Sequence, residues 1–359
     1  MSKKKVLVGM SGGVDSSVSA ALLLKQGHEV IGAFMKNWSG AVCVPTGTKS
    51  DRVGDEFEEC GWKEERRDAA RVAAKLGIKF VTFDFEEDYR RDVVENMFEE
   101  FEAGRTPNPD VMCNKFIKFD RFMKEADRLG CDFVATGHYA RVIDGRLAAG
   151  ADKNKDQTYF LWAINPEIIP RILFPIGHMD KPDVRKKAKE LGLDVADKKD
   201  SVGICFVGEV DMRKFLQARL PKDPGNVVTT EGEVIGTHEG INFYTIGQRH
   251  GLNIGGGTPH YVVEKRSNTK ELVVTSNFHP SLFQEKLSAK DLNWFEKIIA
   301  PRKCQCRIRY RQPLQECTIS SISNGKVTVE FTEPQRAITP GQSIVFYDKE
   351  LVIGGGIIE

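Results

Sequence analysis

The chain has 359 residues, of which 40% are hydrophobic and 29% charged, and its 52 basic residues nearly balance 51 acidic ones. This composition predicts two or three globular domains and argues against a protein that coats nucleic acid through its overall charge. No apolar run is long enough to cross a membrane, and the apolar start at Val6–Met10 is too short for a signal peptide. We therefore expect a cytoplasmic protein with reduced thiols and no membrane partner.

Strands and helices alternate over the first 200 residues of the chain. The pattern predicts strands at Val6–Gly9, Val30–Met35, Phe80–Phe85 and Phe133–Thr136, and helices at Ser16–Gln26, Lys63–Leu76, Tyr89–Ala103 and Phe116–Leu129. Alternation of this kind predicts a parallel sheet that is covered by helices on both faces. The segment Asn37–Gly61 interrupts the pattern, and its many small and polar residues predict a long surface loop or insertion.

The pattern changes after about Cys205, where a predicted helix at Val210–Leu220 is followed by short strands and glycine turns. From about Leu287 onward only strands are predicted, at Arg307–Tyr310, Gln315–Ile319, Lys326–Phe331 and Ser343–Tyr347. Short strands at this spacing predict a small β-barrel. We therefore expect an α/β domain over residues 1–205, a small mixed α+β domain over 206–284 and a C-terminal β-barrel over 285–359.

The most distinctive local motif joins the first strand to the first helix and consists of Gly9, Met10, Ser11, Gly12, Gly13, Val14, Asp15 and Ser16. Adjacent glycines let backbone N–H groups form an anion-binding nest, and the helix N-terminus adds its dipole. The motif is neither a Walker A loop nor G-x-G-x-x-G. It resembles the pyrophosphate loop of the adenine nucleotide α-hydrolase superfamily, whose members split ATP between its α and β phosphates. The resemblance implies an ATP site in which Asp15 helps to hold magnesium and pyrophosphate. The loop alone fits amidating synthetases as well as tRNA-modifying enzymes.

The eight cysteines contain no C-x-x-C pair, which excludes the usual zinc and iron–sulfur signatures. We expect Cys304 and Cys306 to point to opposite faces of a strand and to be a chance pair. Cys113 differs, because two prolines precede it and a helix is predicted to begin near Lys115. That position, with two lysines close by, favours the reactive thiolate. Cys205 lies at the end of the predicted α/β domain, among small residues and turn formers.

Seven segments carry a closer resemblance, and they follow one another along the whole chain: Ser11–Ser17, Thr106–Asn114, Thr136–Arg141, Lys155–Leu161, Asp200–Glu209, Tyr244–Leu252 and Glu333–Gln342. They resemble the bacterial tRNA-specific 2-thiouridylase family, known as MnmA or TrmU. The resemblance implies an ATP-dependent sulfurtransferase that adenylates the C2 oxygen of the wobble uridine of a tRNA. Sulfur from a cysteine persulfide then replaces that oxygen, giving 2-thiouridine, AMP and pyrophosphate. The implied partners are the tRNAs for Lys, Glu and Gln and a sulfur-donor protein or cysteine desulfurase.

The resemblance also implies roles for single residues. Cys113 corresponds to the nucleophile, Asp110 to the general acid or base, and Cys205 to the persulfide carrier that ends in a transient disulfide with Cys113. The adenine-nucleotide contacts match the phosphate loop together with Met35 and Gly137. The tRNA contacts match the following residues, the first three at the target base: Asn108, Pro109, Asp110, His138, Lys155, Asp156, Gln157, Arg309, Tyr310 and Gln342.

Other interpretations stay open at this point. An amidating ligase would need an ammonia source, and the chain shows no glutaminase-like domain. A non-enzymatic RNA-binding protein would not need both cysteines together with the acidic residues of the motifs. The basic run at 301–311 fits either an RNA contact or a strand edge that is protected against aggregation. Phe116 and Val202 depart from the residues that the family often has there.

Overall fold

The computed structural model describes residues 3–39, 42–43, 52–53, 62–199, 212–252, 254–255 and 259–359. The chain divides into two compact units. The first comprises Met1–Val94, Pro109–Val210 and Asp348–Ile353, and the second comprises Glu95–Asn108, Asp211–Tyr347 and Gly354–Glu359. Each unit is therefore built from separate stretches of the chain.

A five-stranded parallel sheet forms the centre of the first unit, in the order β5-β2-β1-β6-β9. The strands of this part of the chain are β1 Lys5–Gly9, β2 Glu29–Lys36, β3 Val42–Cys43, β4 Arg52–Val53, β5 Lys79–Asp84, β6 Phe133–Ala135, β7 Ala140–Ile143, β8 Arg146–Ala149 and β9 Ile172–Leu173. The predicted parallel sheet is confirmed. Of the predicted insertion Asn37–Gly61, the short pair β3 and β4 is described, and most of residues 40–61 lies outside the described residues.

Helices pack on both faces of the sheet. The α-helices among the described residues are α1 Val14–Lys25, α2 Trp62–Leu76, α3 Glu86–Tyr89, α4 Asn96–Glu102, α5 Pro109–Met112, α6 Phe122–Arg128, α7 Lys181–Glu190 and α8 Met212–Gln217. On one face, buried side chains of α1, α2 and α7 share a core with Val6 and Val8 of β1. On the other face, Phe122 of α6 packs edge-on against Phe83 of β5, with 6.2 Å between the ring centroids. None of the described helices combines the length and apolar character needed to span a bilayer.

Two π-helical stretches interrupt the regular helices, at Arg90–Glu95 and Cys113–Arg121. The predicted helix Tyr89–Ala103 is confirmed as a run of α3, the first π stretch and α4. The predicted helix Phe116–Leu129 begins earlier than expected, because α5 starts at Pro109 and continues through the second π stretch into α6. Proline is well tolerated in the first turn of a helix, where its missing N–H has no intrahelical partner to lose.

The second unit contains a four-stranded sheet in the order β11-β10-β13-β12. Its strands are β10 Gly225–Thr229, β11 Val234–His238, β12 Tyr261–Arg266 and β13 Glu271–Thr275. Val227, Val262 and Leu272 form its apolar core. With α8 in place of the longer helix predicted at Val210–Leu220, this part matches the expected mixed α+β domain.

Six further strands form the C-terminal barrel, namely β14 Phe283–Trp294, β15 Arg302–Arg307, β16 Gln315–Ser323, β17 Lys326–Arg336, β18 Ser343–Asp348 and β19 Leu351–Ile358. Their order is β14-β17-β16-β15-β18-β19, and β14 also pairs with β19, for example Ala289 with Ile358, which closes the ring. The predicted barrel is confirmed. The strand predicted at Arg307–Tyr310 is wrong, because β15 ends at Arg307 and the next residues turn through Arg311, whose φ is +61°.

Three buried cysteines lie together inside the barrel. Cys304 on β15 faces Cys317 on β16, and their Sγ atoms are 3.6 Å apart. Cys306 is also fully buried. The expectation that Cys304 and Cys306 point to opposite faces is wrong, because residues two apart on a strand share a face.

Candidate active site

The predicted phosphate loop connects β1 to α1 at the carboxyl edge of the parallel sheet. Gly12 has a φ of +74°, and a Cβ at this position would lie 2.3 Å from the backbone oxygen of Glu65. Only glycine fits there, because both the backbone conformation and the space exclude a side chain. The backbone N–H of Ser11 donates to Ser16 Oγ at 3.2 Å. The first turn of α1 has no side-chain cap for its N–H groups.

Asp15 lies in the first turn of α1 and is held by two residues that are distant in sequence. Tyr139 Oη–H donates to Asp15 Oδ1 at 2.8 Å, and Lys181 Nζ lies 2.8 Å from each carboxylate oxygen. Lys181 is only 8% exposed. Sequence analysis missed this lysine; its one local signal is its position at the first residue of α7, just before Pro182.

A second lysine supports the loop from the other side. Lys198 Nζ donates to the carbonyl oxygen of Gly12 at 3.2 Å and to Asp68 Oδ2 at 2.6 Å. Burial raises the pKa of the neighbouring Glu65, and the positive charge of Lys198 opposes that rise. The structure therefore places two cations, Lys181 and Lys198, beside a loop whose own sequence has none.

Met35 and Gly137 lie next to the loop, as the motif resemblance implied. Met35 lies near the carboxyl end of β2 and Gly137 follows β6, the two strands that flank β1, and the carboxyl ends of neighbouring parallel strands meet at one edge. A Cβ on Gly137 would lie 2.6 Å from the backbone nitrogen of Ser16, so only glycine permits this approach. The Met35 Cε lies 3.0 Å from the point where a Cβ on Gly9 would stand.

Met10 and Val14 of the loop have a different role, because both side chains are buried in the core of the unit. The backbone N–H of Met10 donates to the carbonyl of Ala33 at 2.8 Å, which ties the start of the loop to β2. These two residues shape the site through their packing and backbone.

Cys113 is fully buried at the start of the second π stretch. The expectation that it precedes a helix starting near Lys115 is wrong, since the helix already begins with Pro109. Asp110 lies in the first turn of that helix. Asn114 Nδ2–H donates to the backbone carbonyl of Asp110 at 2.9 Å, which fixes the start of the helix.

The helix that carries Cys113 also contacts the phosphate loop. Its continuation α6 brings the ring of Phe122 to 3.7 Å from the point where a Cβ on Gly9 would stand. The predicted nucleophile and the predicted ATP loop therefore belong to one packed unit.

His138, a predicted tRNA contact, is 8% exposed. Its Nδ1 lies 2.7 Å from Thr136 Oγ1, and the rings of Phe119 and Phe174 pack against it. Burial, together with the positive charge of Lys118, holds the pKa of His138 well below its usual value. The imidazole is thus a neutral, buried group in this structure, and its contact with RNA stays a prediction.

The run Lys155, Asp156 and Gln157 stabilises its own turn. Asp156 is 2% exposed, and its Oδ1 accepts from the backbone N–H of Gly150 at 3.1 Å and from Thr158 Oγ1 at 2.8 Å. Gln157 Oε1 accepts from the backbone N–H of Tyr139 at 2.9 Å. Gln157 therefore positions the same tyrosine that holds Asp15.

The predicted tRNA contacts of the second unit lie in turns. Arg309 donates to the backbone carbonyls of Arg336 and, at 3.4 Å, Ala337. Tyr310 follows it beyond the end of β15. Gln342 Nε2–H donates to the carbonyl of Thr106 at 2.9 Å and to that of Pro107 at 3.2 Å. Gln342 thereby fixes the backbone immediately before Asn108 and Pro109.

Comparison with known proteins adds family matches over nearly the whole chain. Residues 4–209 match a model described as the tRNA methyl transferase HUP domain, residues 213–276 a tRNA methyl transferase PRC-barrel domain, and residues 284–358 an aminomethyltransferase beta-barrel domain. A protein of Halalkalibacterium halodurans named tRNA-specific 2-thiouridylase MnmA is 48% identical over 363 residues, covering 99% of this chain and 94% of the relative. The chain belongs to the MnmA family.

Other MnmA relatives match equally well. The protein of Pseudomonas savastanoi pv. phaseolicola is 49% identical over 368 residues, with 99% of this chain and 94% of that protein covered. The protein of Pseudomonas fluorescens is 49% identical over 370 residues, with 100% and 95% covered. The domain models mention methyl transfer, whereas these full-length relatives carry the thiouridylase name.

Among solved structures, a 4-thiouridine synthetase bound to RNA and ATP resembles the chain only distantly. The TM-score is 0.36 and the identity 17%, over 60% of this chain and 50% of that chain. This likeness is too low to support an inference about function.

Cys205, the sulfur carrier that the MnmA resemblance implies, falls within residues 200–211, which lie outside the described residues. Its role therefore stays a prediction from the sequence.

Proposed function

We propose that the chain is an ATP-dependent tRNA-uridine 2-sulfurtransferase that forms 2-thiouridine at the wobble position. The relatives at 48–49% identity over almost the full length are named tRNA-specific 2-thiouridylase. The observation that carries the proposal most directly is the packing of the Cys113 helix against the phosphate loop through Phe122 and Gly9. This packing supports a single unit that activates an oxygen with ATP and attacks with a thiol.

ATP fits the loop as a substrate. The glycines at 12 and 137 bring backbone close together where side chains would collide, which leaves N–H groups for phosphate oxygens. Lys181 supplies a cation beside Asp15, and Met35 and Gly137 would border the adenine nucleotide. Asp15 would hold Mg²⁺ together with the phosphates, since carboxylate oxygen is a ligand that this ion prefers. The ion would neutralise phosphate charge when bound.

Adenylation addresses the weak electrophilicity of uridine. The C2 oxygen attacks the α phosphorus of ATP, the bond to the β phosphate breaks and pyrophosphate leaves. The C2 oxygen is then part of AMP, which is a far better leaving group than oxide. The loop amides and Lys181 would stabilise the charge that develops on the phosphates in this step.

Sulfur enters in the second step. The terminal sulfur of a Cys205 persulfide attacks C2, and the C2–O bond breaks as AMP leaves. The Cys113 thiolate then attacks the inner sulfur of Cys205, which forms a Cys113–Cys205 disulfide and leaves the outer sulfur on C2. A cellular dithiol reduces that disulfide before the next turnover. Asp110, in the first turn of the Cys113 helix, would act as general acid or base in the proton transfers that accompany these steps.

The substrate would be a tRNA with a wobble uridine, with the Lys, Glu and Gln acceptors expected, and a sulfur-donor protein or cysteine desulfurase would load Cys205. Asn108, Pro109 and Asp110 would contact the target base. Lys155, Asp156, Gln157, Arg309, Tyr310 and Gln342 would contact or position the RNA. The carbonyl contacts of Gln342 support this role, because they fix the backbone that leads to Asn108.

Nucleoside mass spectrometry tests the proposal. Unmodified tRNA is incubated with the protein, ATP, Mg²⁺ and a persulfide donor, and then digested. We expect 2-thiouridine that depends on ATP. Its absence, with a folded protein and intact tRNA, would refute the proposed function, and a methylated uridine formed with a methyl donor would favour the activity that the domain models mention.

A further inference from the structure

One buried oxygen beside Cys113 lacks a donor. Asn114 is 2% exposed, and among the described residues its Oδ1 has no hydrogen-bond partner. The orientation of this amide is fixed, since Nδ2 lies 2.9 Å from the backbone carbonyl of Asp110, and a carbonyl can only accept. Exchanging the two ends would place two acceptors against each other. The oxygen is therefore the end of the amide that faces no donor.

A buried oxygen without a hydrogen-bond donor lowers the stability of the folded protein, because water does not reach it. The side chain folds back toward the start of its own helix, as its bond to residue 110 shows. It thus lies beside the backbone of Asp110, one of the residues proposed to contact the target base, and follows Cys113 in sequence.

We propose that Asn114 Oδ1 accepts a hydrogen bond from the N3–H of the target uracil and thereby selects uridine. This inference rests on the proposed function, and it adds a specificity-determining residue to it. Uracil presents one ring donor, N3–H, between two carbonyl acceptors. Cytosine presents an acceptor at N3, which would face the Asn114 oxygen and repel it.

The selectivity follows from the fixed amide. If the amide could rotate, Nδ2 would serve cytosine as well as Oδ1 serves uracil. The Asp110 carbonyl prevents that rotation, because the turned amide would place Oδ1 against the carbonyl oxygen. The base reaches the oxygen after leaving its stack and opening the packing around residue 114, as enzymes that modify a base generally require.

The first experiment uses the unaltered protein and three tRNAs that carry uridine, 3-methyluridine or 5-methyluridine at position 34. The two methylated bases have similar size, and only 3-methyluridine lacks the N3–H. We expect binding of the 3-methyluridine tRNA to be weaker by roughly 10-fold, with the 5-methyluridine tRNA close to uridine. Equal binding of both methylated tRNAs would overturn the proposal.

The second experiment compares Asn114→Ala with a matched control, Asn226→Ala, whose side chain is exposed on β10. Thermal unfolding first confirms that both variants fold. In Asn114→Ala the penalty for 3-methyluridine should shrink to within about 3-fold of uridine, because the partner atom is gone and the methyl group has room. The control should keep the full penalty. A full penalty in Asn114→Ala would overturn the proposal.

These outcomes are separate from the proposed function itself. Binding is measured without ATP, so discrimination at N3 does not depend on sulfur transfer. If the protein thiolates uridine but binds the uridine and 3-methyluridine tRNAs equally, the proposed activity is retained and the proposed role of Asn114 is refuted.

Discussion

Lys181 gives the phosphate loop a positive charge, which the loop's own sequence lacks. A carboxylate beside the proposed phosphate site would repel ATP, and the two 2.8 Å contacts from Lys181 offset that repulsion. The two partners are 166 residues apart, so no local pattern could have paired them. A lysine at a helix start ordinarily indicates a solvated side chain.

Replacing Lys181 with methionine should lower tRNA-dependent AMP formation by roughly 100-fold, because the loop loses its buried cation while the side-chain volume is kept. The measurement follows α-labelled ATP in the presence of tRNA. Lys189→Met serves as control, since that lysine is exposed on the same helix and pairs with Asp197. Equal AMP formation by both variants would remove Lys181 from the site.

Substituting serine for Cys113 or Cys205 should abolish 2-thiouridine formation and leave tRNA affinity within about 3-fold of the unaltered protein. Each sulfur has a separate covalent step that a hydroxyl cannot perform. Cys131→Ser is the control, because Cys131 is also buried in the first unit and has no proposed step. Thiolation near the normal rate in either reactive-cysteine variant contradicts the two-cysteine mechanism.

His138 should make the stability of the protein depend on pH. Its pKa is depressed in the folded state, so below about pH 6.5 the unfolded chain binds the proton more readily than the fold does. The free energy of unfolding should thus be fully maintained above pH 6.5 and fall as the pH drops, by at most about 1.4 kcal/mol per pH unit from this group. Urea unfolding at pH 7.5 and 5.5 measures this difference in the free energy of unfolding. His138→Gln should reduce the loss; an identical loss in both proteins would exclude His138 as its source.

At the level of helices and strands, periodicity predicted β1, β2, β5 and β6 of the parallel sheet and β16, β17 and β18 of the barrel. It misplaced the helix start at Pro109, because the predicted boundary relied on the two prolines as breakers, whereas proline also suits a first helical turn. It also placed a strand at Arg307–Tyr310, because basic and apolar residues alternate there, whereas β15 runs from Arg302 to Arg307. No residue pattern in Cys113–Arg121 distinguishes this π stretch from an ordinary α-helix.

The turn after β15 offers a test of RNA recognition. Arg309→Ala should weaken the binding of all substrate tRNAs alike and reduce the slope of log affinity against log salt by about one, as expected for one lost phosphate contact. Lys286→Ala is the matched control, an exposed cation on β14 of the same barrel, outside the basic run 301–311. Because Arg309 also bonds to the Ala337 carbonyl, circular dichroism should verify the fold. Unchanged affinity and slope would leave Arg309 with only that structural contact.

For the molecule as a whole, composition and alternation predicted the fold class. They could not show that each compact unit is assembled from separate stretches, because long-range contacts, rather than local pattern, determine such an arrangement. The same limit explains why the loop glycines were found and their lysine partners were not. The glycines are recognisable because a local turn requires them, whereas Lys181 and Lys198 reach the loop only through tertiary contacts.

The fate of the C2 oxygen tests the central claim most directly. A tRNA whose position-34 uridine carries ¹⁸O at C2 is incubated with the protein, ATP, Mg²⁺ and a persulfide donor, and the products are weighed by mass spectrometry. If the C2 oxygen is adenylated and then displaced by sulfur, the label appears in AMP in proportion to the 2-thiouridine formed, and pyrophosphate stays unlabelled. Unlabelled AMP accompanying labelled phosphate or water would contradict the account.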